Sequence, residues 1–244
     1  MSQLVNHKLI KQISNLIFQE KTITPFIAHI IKSYIYEEVI NYDKDGNIVD
    51  KYIIRYGVKE GLYQSWYPNG QKHIEKNFKK GLKDGLIQSW HQNGHKNCEC
   101  SYKKNKREGT YKWWYDNGQK QEECNYKEGK REGLYQAWHR NGQKCEECYY
   151  KDGKRDGLYQ KWHKNGQKEE ECYYKNNNKE GLYQSWHPIG QKRTKCYYIN
   201  GKEEGLYQEW YENGQKRYES NYTNGKENEG AKYWYDNGQK IKED

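Results

Sequence analysis

Several residue types capable of chemistry recur in this chain at a fixed spacing of 24 residues. Cys100, Cys124, Cys148, Cys172 and Cys196 form one such row. Read alone it suggests a metal ladder or a set of disulfides. Cys145-Glu-Glu-Cys148 has the spacing of a redox motif, and Cys98 and Cys100 are close enough to pair under oxidation. His91, His139, His163 and His187 alternate with Tyr67, Tyr115, Tyr211 and Tyr235 at one position. An unbroken row of lysines runs from Lys72 through Lys96, Lys120, Lys144, Lys168, Lys192 and Lys216 to Lys240. A parallel row of glutamates (Glu75, Glu99, Glu123, Glu147, Glu171, Glu219) is broken by Lys195.

What these rows can do depends on the elements that carry them. Trp66, Trp90, Trp114, Trp138, Trp162, Trp186, Trp210 and Trp234 keep the same 24-residue spacing, with Trp113 the one extra. A period in this range means a chain built unit on unit. The unit reads G-L-Y-Q-x-W-(H/Y)-x-N-G-Q-K-x-x-E-C-x-Y-K-x-G-K-x-x. Full copies begin at residues 61, 85, 109, 133, 157, 181 and 205, called here units one to seven. A degenerate copy covers 37–60, with Asp45-Gly46 and Gly57 at the turn positions, and a half copy covers 230–244. Unit seven has one extra residue between Gly225 and Gly230, and the following strand is one shorter.

Each unit holds two aromatic-rich runs, such as Leu134–His139 and Gln143–Tyr150, with Asn141-Gly142 between them. Asn-Gly in that setting signals a hairpin, and a type I′ turn with φ > 0 at both residues is expected. Ile189-Gly190 departs from the pattern and implies a different turn. The second connection holds Gly57, Gly81, Gly129, Gly153, Gly201 and Gly225, or Asn105 and Asn177. Gly-or-Asn is the mark of a left-handed backbone position. The expected fold is therefore all-β: an elongated antiparallel meander, or solenoid, of one hairpin per unit with strands of about six residues. Equivalent residues would lie about 9.5 Å apart, in a ribbon on the order of 80 Å long. Alternation puts Leu62 and Trp66 on one face and Tyr63 and Tyr67 on the other. The Leu–Trp face is expected to be the inner one, with the eight Trp as the repeat core and the Tyr/His rows partly exposed.

This geometry weighs against most of the chemistry. A 9.5 Å spacing exceeds the ~7 Å Cα limit for a disulfide, and it is too long for shared tetrahedral Zn ligation. The cysteine row reads as small buried filler in a reducing compartment. Cys145 and Cys148, three apart in a strand, would face opposite ways. A position filled by His or Tyr indifferently is an aromatic packing or surface position. No nucleophile elbow, phosphate loop or carboxylate pair stands out, so no enzyme, metal or cofactor is expected. The Lys and Glu rows, offset by three, are expected on opposite faces. A polyanion track is the functional reading of the Lys row; solubility and protection of the sheet against edge pairing is the plain one.

Residues 1–36 differ in kind. Leu4, Leu9, Ile10, Ile13, Leu16 and Ile17 approximate a helical stripe, and Pro25 opens a second run, Phe26–Tyr36. One or two short helices are expected there, as a cap on the open end or a docking segment. The formal charge is +9, part of it from four Lys against one Glu in this segment. The remainder is a mixed surface rather than the basic stripe of a nucleic-acid binder. Mean hydropathy is −1.47, and no apolar run approaches the ~20 residues of a transmembrane span. Neither is there a secretory signal pattern, so a cytoplasmic location is expected.

The pattern Gly-x-Tyr-x-x-Trp-(Tyr/His)-x-Asn-Gly-Gln-Lys, followed by Tyr-Lys-x-Gly-Lys-x-x-Gly, resembles the MORN repeat. It is most similar to the variant found in antitoxin-like bacterial proteins and in multi-copy proteins of large DNA viruses; for a viral chain, the host cell interior is the implied location. The resemblance covers 61–244 well and 37–60 weakly. It implies a fold shared by proteins of diverse use: lipid binding, scaffolding, accessory roles beside enzymes, toxin neutralisation. The expectation is a non-enzymatic platform for another protein, presenting Tyr135, His139, Lys144, Tyr159, His163 and Lys168. Antitoxin-like neutralisation of a partner is a narrower form of it. Peripheral binding to anionic lipid through the Lys row is the alternative.

Overall fold

The computed structural model describes residues 36–241, and the helices expected within residues 1–36 lie outside this range but for Tyr36. The described chain is one long antiparallel sheet of eighteen strands. Its first strands are β1 (Glu37–Tyr42) and β2 (Ile48–Arg55), so the degenerate copy at 37–60 also forms a hairpin. Each later unit contributes one long and one slightly shorter strand. These are β9 (Lys130–Trp138) and β10 (Lys144–Lys151) in unit four, and β11 (Lys154–Trp162) and β12 (Lys168–Lys175) in unit five. Unit six gives β13 (Asn178–Trp186) and β14 (Lys192–Ile199), and unit seven β15 (Lys202–Trp210) and β16 (Lys216–Thr223). At eight or nine residues, these strands exceed the six expected. Neighbours in sequence are neighbours in the sheet throughout. The extra residue of unit seven splits the next strand into β17 (Lys226–Glu227) and β18 (Lys232–Tyr233), both paired with β16.

The type I′ turn expected at Asn-Gly lies instead at the other connection, whose left-handed position is as expected. At Asn-Gly only the glycine has positive φ, for example Gly142 at 86°. Gly142 N–H donates to His139 O (2.8 Å) and His139 N–H to Gln143 O (2.7 Å). That is a three-residue loop: a type I turn followed by a left-handed glycine. Asn is chosen for its side chain, not its φ. Asn141 Oδ1 accepts Gln143 N–H (3.1 Å), and its Nδ2 donates to Lys164 O in the next unit (3.0 Å). Ile189-Gly190 therefore keeps the same backbone pattern (Gly190 N–H to His187 O, 2.8 Å) and forgoes only the side-chain bonds. The two-residue type I′ turn lies at the other connection. Asp152 (φ 51°) and Gly153 (φ 81°) are both left-handed, and Lys151 faces Lys154 directly.

The inner face is the reverse of the one expected. The buried row is Tyr111, Tyr135 and Tyr159 with Cys100, Cys124, Cys148 and Cys172, while Leu62, Leu86 and Leu206 are exposed and the Trp rings are only half-buried. Cross-strand register alternates a ring with a thiol: Cys124 faces Tyr135, which faces Cys148, which faces Tyr159, which faces Cys172. A large ring beside a small thiol fills a single-layer face without a second sheet to pack on. Flanking tyrosines close it: Tyr135–Tyr150 and Tyr159–Tyr174 meet edge-to-face at 5.9 and 5.5 Å. Such pairs add about 0.5–1.5 kcal/mol beyond area burial. Arg131 and Arg155 lie over the same rings and pair with Glu122 (2.7 Å) and Glu146 (2.9 Å). The cysteines thus act as filler, with Cys148 fully buried and all seven free.

Candidate interaction face

The opposite face carries the Trp, Lys, Glu and Leu rows together. Lys144 faces Trp138 while Glu146 faces Ala137, so Cys145 is an extra residue in the ladder. Such a bulge reverses side-chain alternation, and Lys144 and Glu147 come to the same side. The expectation that the two rows point to opposite faces is corrected by this repeated bulge. Lys72–Glu75, Lys96–Glu99, Lys120–Glu123, Lys144–Glu147 and Lys216–Glu219 are ion pairs at 2.6–2.8 Å, and Lys168–Glu171 is likewise paired. A glutamine donates to the same carboxylate, as Gln136 to Glu147 and Gln160 to Glu171, both at 2.7 Å. Each lysine also lies near the Trp of the next unit, Lys144 Nζ at 5.5 Å from the Trp162 ring centroid. The lysine donors hold the Glu75, Glu99, Glu171 and Glu219 carboxyls below the ordinary value. At Glu147 burial works against the same lowering.

The six candidate residues do not form one surface. Tyr135 and Tyr159 are only 9% and 6% exposed, on the opposite face, and burial raises both phenol pKa values. Lys144 and Lys168 are tied to Glu147 and Glu171. His139 and His163 are half-buried at the loop end, each Nε2 3.0 Å from a carbonyl of the next unit, Trp162 O and Trp186 O. Tyr115 Oη donates to Trp138 O in the same way (3.0 Å). A carbonyl can only accept, so the histidine donates from Nε2–H. Tyr and His interchange here because both place one donor at the far end of a flat ring. That signal was in the sequence, and it marks a bond between units.

Sequence reasoning missed the exposed aromatic row. Leu134 faces Tyr149, Leu158 faces Tyr173 and Leu182 faces Tyr197. These tyrosines are 46%, 57% and 51% exposed. In other units the residue facing this position is Asn77, Ser101, Asn125 or Asn221. The signal was the Cys-Tyr-Tyr triplet of units four to six. Its first tyrosine alternates away from the buried cysteine. The buried thiols themselves have raised pKa values, Cys148 to about 11 and Cys172 to about 12, because burial disfavours the thiolate. No His/Cys/Asp/Glu group suited to a metal occurs among the described residues, and no helix there is long and apolar enough to cross a membrane.

No individual curated protein sequence matches the chain. The family described as MORN repeat variant matches it at residues 59–80, 83–104, 107–128, 131–152, 155–176 and 203–224. Those segments together exceed half of the 244 residues, and each spans one of the strand pairs that the structure repeats. With hairpin, turn and row all recurring in step, the chain belongs to the MORN repeat variant family.

Proposed function

We propose that this protein is a non-enzymatic interaction platform that binds another protein on its Trp–Leu face. The observation that carries this reading is the run of Tyr149, Tyr173 and Tyr197 in units four to six, exposed beside half-buried leucines on a face otherwise covered by polar pairs. Contiguous exposed apolar surface rimmed by polar groups is a mark of protein contact. Repetition presents the same pair at intervals of about 9.5 Å, so weak contacts along one partner sum. The Lys row gives less support to a membrane role, since six of its members are neutralised by a glutamate on the same face. Seven free cysteines fit a reducing, intracellular setting.

The test is capture of a partner from native cells by the whole chain and by a variant carrying Tyr149→Ser, Tyr173→Ser and Tyr197→Ser. Loss of the captured protein in the variant is expected, with the melting curve unchanged. Equal capture by both chains, together with salt-sensitive flotation on anionic vesicles, replaces this reading with the lipid one.

A further inference from the structure

On the Trp face one row crosses successive strands in register: Glu147, Gln160, Glu171, Gln184, Lys195 and Gln208 each face the next. Where the row holds a glutamate, its carboxylate is received by a lysine three residues before it and, in five units, by a glutamine eleven before it. Unit six keeps both donors. Lys192 lies near the Trp210 ring as its counterparts do near theirs (5.7 Å), and Gln184 faces the carboxylate position directly. That position is Lys195. Two ammonium groups and an amide therefore share a site whose geometry elsewhere holds a carboxylate.

Nothing among the described residues balances them. Among the described residues neither Lys192 nor Lys195 makes an ion pair, and the Gln184 amide has no acceptor. Glu171, which faces Gln184, and Glu219 lie two strands from Lys195 on either side, about 9.5 Å off, and are engaged by Lys168 and Lys216. Beside the site, two residues along each strand and on the same face, stand Tyr197 and Leu182, with exposed Leu206 on the next strand. Residues two apart in a strand are about 6.6 Å apart.

We propose that unit six receives an acidic side chain of a partner protein on the Trp face. Lys192, Lys195 and the Gln184 amide bind its carboxylate, while an apolar side chain two residues along the partner rests on Leu182 and Tyr197. The inference rests on the platform reading and narrows it to a site and a ligand chemistry. A protein carboxylate fits better than a polyanion. The excess charge sits at one unit rather than along the row, and the adjoining surface is apolar. Most of unit six itself also falls in the stretch that the family match leaves between 176 and 203.

The experiment measures fluorescence anisotropy of the full chain with a labelled extended peptide of alternating Glu and Leu separated by Ser, against the same peptide with Gln for Glu. Wild type is expected to bind the acidic peptide, and Lys195→Glu to weaken it about tenfold, the scale of losing one charged contact and adding a repulsive one. Glu147→Lys, which copies the unit-six arrangement beside Leu134 and Tyr149, is expected to raise the stoichiometry; circular dichroism melts confirm that both variants fold. Unchanged peptide binding by Lys195→Glu overturns the inference. So does dependence on Lys195 that appears with phosphatidylserine vesicles and not with the peptide. In the cell-capture assay, retention by Lys195→Glu with loss in the triple tyrosine variant overturns the acidic contact and leaves the platform standing. Retention by both overturns the platform itself.

Discussion

The two faces of this sheet are built from the same residue classes and do different work. On one, tyrosines alternate with cysteines, rings close edge-to-face over thiols, and arginines lie across the rings. On the other, tryptophans are half-buried under lysines that are neutralised by glutamates, and leucines and tyrosines face outward. A single-layer sheet can bury only what its own side chains cover. Small thiols leave room for large rings to meet edge-to-face and cover one another. Trp beside Lys covers less, and the rest stays available. Packing belongs to the Tyr–Cys face, and the recognition proposed above to the Trp–Leu face.

The strongest way to break this comparison is to truncate one residue on each side of the same strand. Tyr159→Ala removes a buried ring from between Cys148 and Cys172 and from under Arg155. It should cost about 3 kcal/mol in urea unfolding, the scale for a buried aromatic. Leu158→Ala, its half-buried neighbour on the other face, should cost about 1 kcal/mol, near the transfer value for partial burial. Equal costs would erase the distinction between the faces.

The sequence made the unit, its copies and the strand-turn-strand order legible, because glycine positions and tryptophan spacing are local signals. It did not say which face is packed. Period-two alternation divides Leu62 from Tyr63 but is symmetric between the two sides, and hydrophobicity favoured the wrong one. Cys148 in a strand looks ordinary until its neighbours across the sheet prove to be Tyr135 and Tyr159. The bulge at Cys145 was hidden for a related reason. It is visible only as a register shift between strands, and it moves Lys144 to the side of Glu147. Asn141-Gly142 shows the limit of a local motif: the dipeptide fits a type I′ turn, yet the lateral bond from Asn141 Nδ2 to Lys164 O gives the asparagine another task.

That lateral bond gives the next test. Asn141→Ile copies Ile189 into unit four and should lose about 1 kcal/mol, the net value of an ordinary hydrogen bond, while the hairpin is retained. Ile189→Asn should gain a similar amount if the carbonyl of Glu212 is in reach as Gln92, Lys164 and Asp236 carbonyls are or their counterparts. A collapse of the hairpin in Asn141→Ile would show that the turn itself depends on the asparagine side chain and not on Gly142 alone.

A weaker effect separates the faces by pH. The carboxyls of Glu75, Glu99, Glu171 and Glu219 are held below 4.5 chiefly by hydrogen bonds from the lysines three residues earlier. Their folded pKa is depressed, so the stability they contribute is present above the unfolded value and is lost as pH falls through the folded one. The melting temperature should therefore decline on acidification below about 4.5. Lys168→Met removes the main cause at Glu171 and should flatten that decline. A profile that Lys168→Met leaves unchanged would mean the pairs on the Trp face contribute nothing to folding, as many exposed ion pairs do not.

The smallest expected change bears most directly on function. Lys195→Glu restores the unit-six carboxylate between Lys192 and Gln184, and should stabilise the fold by about 0.5 kcal/mol, the usual scale of a solvent-accessible ion pair. The same substitution is expected to weaken binding of an acidic peptide. A gain in stability coupled to a loss in binding is what separates a recognition residue from a structural one: a packing residue would move both in the same direction. If Lys195→Glu instead destabilises the sheet, the lysine is part of the framework, and the Trp–Leu face loses its one charge-specific position.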